Sequence, residues 1–198
     1  KEQKVTVNHS SKDNMINIDS RSDIQKYSFY DGESSIETFN IAYRNEKKAS
    51  FFVKDEAYKS NDLFHNDSRV KYANIDFPLK GYRYLTHIKK HYKDIKYFTK
   101  IYFNNDYPAL QKTITFEIPN WLDIELKEFN FDGYDIEKNI TNSANGDSKI
   151  HSYTLKNIPA MYKEANSPGP TFIYPHLLVL AKTFKNGDDN ITLFHSTQ

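Results

Sequence analysis

The sequence predicts a mainly β protein, an antiparallel β-sandwich of about ten to twelve strands with one or two short helices. Three observations predict it. Apolar residues recur with a period of two, as in 113–119, where Ile114, Phe116 and Ile118 alternate with Thr113, Thr115 and Glu117; that is the pattern of a strand with one buried face. Aromatic and β-branched residues, including 15 Tyr and 14 Phe among 198 residues, are concentrated in such runs, as a pleated and half-buried surface favours. Turn chemistry separates the runs at Asp31-Gly32, Asn104-Asn105-Asp106, Pro119-Asn120, Asn145-Gly146-Asp147 and Asn186-Gly187-Asp188.

In chain order, strands are predicted at 4–7, 15–19, 24–30, 36–43 and 49–54. Ala57, Tyr58, Leu63 and Phe64 make 54–64 the best helical candidate, and 61–69 reads as an irregular surface loop. Further strands follow at 70–77, 82–92, 97–103, 113–119 and 122–131. Asn145-Gly146 suits a tight hairpin between 136–139 and 149–155. A turn is expected at 159–164, an extended crossing at Ser167-Pro168-Gly169-Pro170, and a last strand over 172–184. Pro108, Pro119 and Pro159 cannot donate to a ladder and mark strand ends. Trp121 and Tyr153 are expected as core plugs. No repeat of solenoid period and no low-complexity linker occurs, so residues 1–198 are taken as one domain.

Composition narrows the chemistry. Lys+Arg (27) and Asp+Glu (26) nearly cancel to a net charge of +1, which gives no global case for nucleic acid or an anionic membrane. A mean hydropathy of −0.77 is offset by the aromatic content, which disordered chains lack. With no cysteine, disulfides, thiolate zinc sites and cysteine nucleophiles are excluded within these residues. The longest apolar run, 177–181, is too short to span a bilayer. There is no Gly-rich phosphate loop, G-x-S-x-G or S-x-x-K, and no cofactor is expected. His87 and His91 stand four apart, but Ile88 replaces the Glu of a zinc-peptidase helix. On a strand the two imidazoles are about 13 Å apart, so no metal site is expected. Asp123 and Glu125 share one strand face, as solvent-side pairs commonly do.

Residues 80–100 form the one local charge anomaly, with seven Lys or Arg (Lys80, Arg83, Lys89, Lys90, Lys93, Lys96, Lys100) against Asp94. Tyrosines interleave with them. The composition matches a stacking platform in a basic groove, but no nucleic-acid motif accompanies it. A hairpin with aromatics inward and lysines outward accounts for it better. If the chain is a carbohydrate- or peptide-binding module, Tyr82, Arg83, Tyr84, Tyr92, Tyr97 and Tyr102 are the candidate binding residues, and some of the rings should be exposed and coplanar.

From Val70 onward the order of features is distinctive. Phe77-Pro78-Leu79-Lys80-Gly81 leads into an aromatic strand; Asp106-Tyr107-Pro108-Ala109-Leu110 precedes a strand ending in Ile118-Pro119. Tyr153-Thr154-Leu155-Lys156-Asn157-Ile158-Pro159-Ala160 and Glu164 follow, then Pro168, Pro170 and a strand from Phe172. This resembles the domain-of-unknown-function family that precedes a transglutaminase-like domain in exported proteins, chiefly of the Bacteroidetes. It departs in carrying Tyr153 where the family usually has tryptophan, and in a thinned acidic and proline cluster at 164–170. The resemblance implies a non-catalytic accessory domain whose partner is a C-terminal transglutaminase- or peptidase-like domain of the same chain, which it would dock on or shape. It also implies a periplasmic or envelope-associated protein, a signal peptide removed before Lys1, and catalytic Cys, His and Asp beyond Gln198. The tail from Asn190 resembles the run-in to that next domain.

Overall fold

The computed structural model describes residues 4–58, 67–162, 167–185 and 191–193. The protein is mainly β and every strand pair is antiparallel. The sequence reading took 1–198 as one domain; the chain divides into two compact units, 1–98 and 99–198, each with its own core.

The first unit holds β1 (Val7–Ile16), β2 (Ser22–Tyr30), β3 (Ser34–Tyr43), β4 (Lys54–Ala57), β5 (Arg69–Phe77) and β6 (Arg83–Tyr92). They form two three-stranded sheets, ordered β1-β6-β3 and β2-β5-β4. Ile41 and Tyr84 from the first sheet pack with Ala73, Ile75 and Phe77 from the second, joined by Met15 and Ile24. This is a sandwich, with the alternating residues of both sheets turned inward.

The second unit holds β7 (Lys100–Tyr102), β8 (Ala109–Pro119), β9 (Leu122–Phe129), β10 (Glu137–Asn142), β11 (Ser148–Ile158), the four-residue helix α1 (Pro170–Ile173), β12 (His176–Lys185) and β13 (Ile191–Leu193). One sheet is β10-β11-β8. In the other, β12 pairs with β9, β7 and β13. Phe103, Ile114, Tyr153, Leu155, Ile158 and Leu177 form the core.

The two units repeat one topology. Shifting each strand number by six turns β1-β6-β3 into β7-β12-β9 and β2-β5-β4 into β8-β11-β10, the pairings observed. Register agrees as well: the last residue of β3, Tyr43, lies opposite Tyr84, and the last residue of β9, Phe129, lies opposite His176. The sequence carries no trace of this, because sheet topology requires only alternating burial and suitable turns, which many unrelated side chains satisfy.

Several elements differ from expectation. Residues 7–16 are one strand, not two short runs, because the polar inward residues of β1 are satisfied inside the sandwich: Asp13 accepts from Lys26 and Thr86. The expected helix at 54–64 is β4 over 54–57; it pairs with β5, and residues 59–66 lie outside the described ones. The strand expected at 172–184 starts later, at His176, after α1. The turns expected at 159–164 and 186–188 fall wholly or partly outside the described residues, as does most of the tail from Asn190; its residues 191–193 are β13. Tyr153 is core, but Trp121 is 45% exposed. It closes the two-residue β8–β9 turn, where it contributes a carbonyl to Lys185 N–H rather than a ring to the core.

The hairpin around Asn145-Gly146 forms as its sequence dictates. Gly146 takes φ +76° and β10 pairs with β11 on either side. Pro108 precedes β8, Pro119 ends it, and Pro159 follows β11.

Candidate functional site

At one end of the first sandwich is an open hollow of about 630 Å³, lined by Tyr43, Arg44, Asn45, Gly81, Tyr82 and Arg83. Two turns build it. The chain leaving β3 folds back at once, with Tyr43 N–H donating to Lys47 C=O and Glu46 N–H to Tyr43 C=O; Glu46 sits at φ +63°. The short β5–β6 turn is held by Asn17, which is 5% exposed. Its side-chain amide donates to the carbonyls of Asp19 and Leu79, and its side-chain oxygen accepts from Asp19 N–H and the Ser22 hydroxyl. Its backbone donates to Tyr82 C=O and accepts from Gly81 N–H. Gly81 has φ +82°, a conformation that favours glycine. Asn17 is thus a buried polar residue with its bonding capacity filled, as burial demands.

Below the hollow, Tyr84 anchors an aromatic cluster. Phe77, Phe51, Tyr82 and Tyr43 lie with ring centroids 5.0–5.8 Å from it, edge-on or tilted. Burial, and then the neighbouring Tyr82 and Tyr43, push the Tyr84 phenol up to about 12.

The six residues singled out in the sequence do not share one surface. Tyr84 is core. Tyr82 and Arg83 line the hollow, Arg83 exposed and Tyr82 half-buried. Tyr92 is half-buried, edge-on to Phe98, with the Lys90 ammonium 4.5 Å from its ring. Tyr97 is exposed, under Lys96. Tyr102 belongs to the second unit, where it packs on His176 and its hydroxyl meets Thr171 at 2.8 Å. Sequence reasoning missed Tyr43, Arg44 and Asn17, because strand-end residues acquire meaning only from the strand that pairs beside them.

The basic hairpin strand is only partly lysine-outward. Period two carries Lys90 inward beside Tyr92. Desolvation there lowers its pKa, against a weaker raising influence from Asp31. On the outer face, His87 and His91 each bond a different β1 residue: Ser10 Oγ lies 2.9 Å from His87 Nε2 and Asn8 Oδ1 lies 2.8 Å from His91 Nδ1. Desolvation, with Lys12 and Lys89 nearby, lowers the His87 pKa. A neutral imidazole bonded to a hydroxyl is the start of an acyl-transfer dyad, but among the described residues no carboxylate orients His87, and the pair lies on an open sheet face.

Other charged groups are engaged in structure. Burial raises the pKa of Asp55, yet the Tyr30 hydroxyl, Arg69 and Lys71 outweigh it and the net shift is downward. Glu125, on the solvent side of β9, takes Lys182 at 2.6 Å, which lowers its pKa. In the second unit Asn104, 1% exposed, donates to Pro159 C=O, and Asn105 C=O accepts from Met161 N–H. The Asn104–Pro108 and Asn157–Ala160 segments are therefore clasped together as fold markers. A second hollow of about 330 Å³ lies beside Trp121, Asp123, Lys149, His151 and Lys185. Among the described residues no group of three His, Cys, Asp or Glu could hold a metal ion.

No protein-family model matches the chain, and no curated protein matches it. Among solved structures, the chain is similar to a Parabacteroides distasonis protein described as a "putative protease", with a TM-score of 0.55 and 13% identity over 88% of this chain. The likeness is one of fold. The matched region is 36% of that protein, so this chain spans about a third of its length.

Proposed function

We propose that this chain is a non-catalytic accessory segment of an exported peptidase- or transglutaminase-like protein, which docks on or shapes a catalytic domain that follows it. The observation that carries the reading is the fold likeness over 88% of the chain to a part of a much longer protein described as a protease. The motif order from Phe77 to Phe172 supports the same context, and its residues support a scaffolding role: Tyr153 packs in the core, and Pro159 C=O accepts from the buried Asn104. Among the described residues the Ser10–His87 pair has neither an orienting acid nor a cleft, which favours a partner domain as the seat of chemistry.

The test is to read the coding frame beyond Gln198. A cysteine at a helix start with His and Asp downstream is the expected result. A stop codon directly after Gln198 would remove the partner and the proposal with it.

A further inference from the structure

The hollow of the first unit has a counterpart in the second, and the two differ in occupancy and in charge. By register, Tyr43 corresponds to Phe129 and Tyr84 to His176, so Arg44 corresponds to Asn130 and Arg83 to Pro175. In the second unit this position is occupied by the protein's own chain. The β11–β12 connection runs from Pro159 to Pro175, and Asn130 Nδ2 donates to the backbone carbonyl of Thr171 within it, as well as to that of Tyr174, the counterpart of the lining residue Tyr82. In the first unit the matching β5–β6 connection is only Pro78 to Tyr82, and the position is left open.

Charge distinguishes the open position. Arg44 directly follows the last β3–β6 pair, Tyr43–Tyr84, Arg83 directly precedes it, and both line the hollow. Two like charges lining one hollow repel each other. Among the described residues neither guanidinium has an ion-pair or hydrogen-bond partner: Asp76 is taken by Arg21, and Glu46 in the adjacent turn pairs with neither. Lys47, Lys48 and Lys80 lie in the same two turns, all exposed. Apolar side chains stand nearby on the elements that meet at this end: Ile16, Ile18 and Leu79 are exposed. Two unpaired guanidinium groups present planar forks that match carboxylates, while the tyrosine rings and aliphatic groups suit apolar side chains.

We propose that this hollow binds a peptide segment carrying carboxylate side chains next to apolar ones, seated in trans where the longer connection of the second unit brings its own backbone at Thr171 against Asn130. The occupant is a peptide because a peptide fills the equivalent position; it is acidic because Arg44 and Arg83 are otherwise uncompensated. The assignment does not depend on a catalytic domain following this chain, and it stands or falls separately from the accessory reading.

The experiment is fluorescence anisotropy on the full 1–198 chain with a fluorescein-labelled, end-blocked hexapeptide alternating Glu with Leu and Tyr. A counterpart in which Gln replaces every Glu serves as the comparison. The acidic peptide is expected to bind saturably and to weaken with added salt. The Gln peptide, and each of the exposed-site variants Arg44→Gln and Arg83→Gln, should bind about tenfold more weakly, the effect of losing a charge-assisted hydrogen bond. Circular dichroism verifies that the variants remain folded. Equal binding of the two peptides overturns the proposal, as does unchanged affinity in both arginine variants or absence of saturation by the acidic peptide at millimolar concentration. Saturable binding of a fluorescein-labelled oligogalacturonate, with no acidic-peptide binding, would make the hollow a glycan site and overturn it as well.

Discussion

Asp13 on β1 and Lys26 on β2 belong to opposite sheets of the first unit and meet between them, with the ammonium 2.6 Å from the carboxylate. The Thr86 hydroxyl donates to the same carboxylate oxygen. Both side chains are half-buried, so the pair joins the sheets where an apolar contact would ordinarily do so. Removing one partner strands the other charge in a poorly hydrated place. Lys26→Met should therefore destabilise the unit by about 1–3 kcal/mol, and Asp13→Asn combined with Lys26→Met should cost less than the two single changes added together. Urea denaturation of the four proteins measures the coupling. Additive costs would mean the pair contributes nothing.

Asn17 is the clasp of the hollow. Asn17→Ala removes four side-chain hydrogen bonds at a buried position and should cost roughly 2–4 kcal/mol. The loss should be local first. Amide exchange at Gly81, whose N–H bonds the Asn17 carbonyl, should accelerate well before exchange in β11. Uniform acceleration in both units would contradict the clasp.

His87 offers a pH readout. Desolvation and the flanking Lys12 and Lys89 hold its pKa below the ordinary 6.5. The native state then binds a proton less readily than the unfolded chain. Stability from this group is present in full above 6.5 and falls as pH drops toward the native pKa. An NMR titration should show His87 ionising below 6.5, and Lys12→Gln should move it part of the way back. A midpoint above 6.5 would sink the assignment.

Tyr84 is the core aromatic of the first unit. Tyr84→Ala should cost about 3–5 kcal/mol through lost burial and the cavity left behind. Tyr84→Phe should cost far less, since the ring stays buried and the hydroxyl's bond to Asp76 C=O is 3.3 Å long. An ultraviolet titration should leave one phenol un-ionised until about pH 12, or until the unit unfolds.

Gly146 isolates a backbone effect. A Cβ added there meets nothing within 4 Å, and φ is +76°. Gly146→Ala should thus destabilise by about 1 kcal/mol from strain alone. Thermal unfolding of the second unit would detect it, and an unchanged midpoint would show that the turn adopts another conformation.

What the residues declare locally was legible in the sequence. The alternation of Ile114, Phe116 and Ile118, the Asn145-Gly146 turn and the prolines at strand ends each express a preference that acts within a few residues, and the structure follows them. The class of fold follows from their sum. Tertiary structure decided the rest, because it depends on which strand lies beside which. Polar β1 is a strand only because Lys26 and Thr86 wait inside for Asp13. Residues 54–57 are a strand only because β5 offers an edge. The repeated six-strand topology leaves no sequence period, since pairing order is encoded by burial alternation that many side chains satisfy. Arg44 and Arg83 are separated along the chain and line one hollow because β3 and β6 pair beside each other, so no local pattern could have announced the hollow they flank.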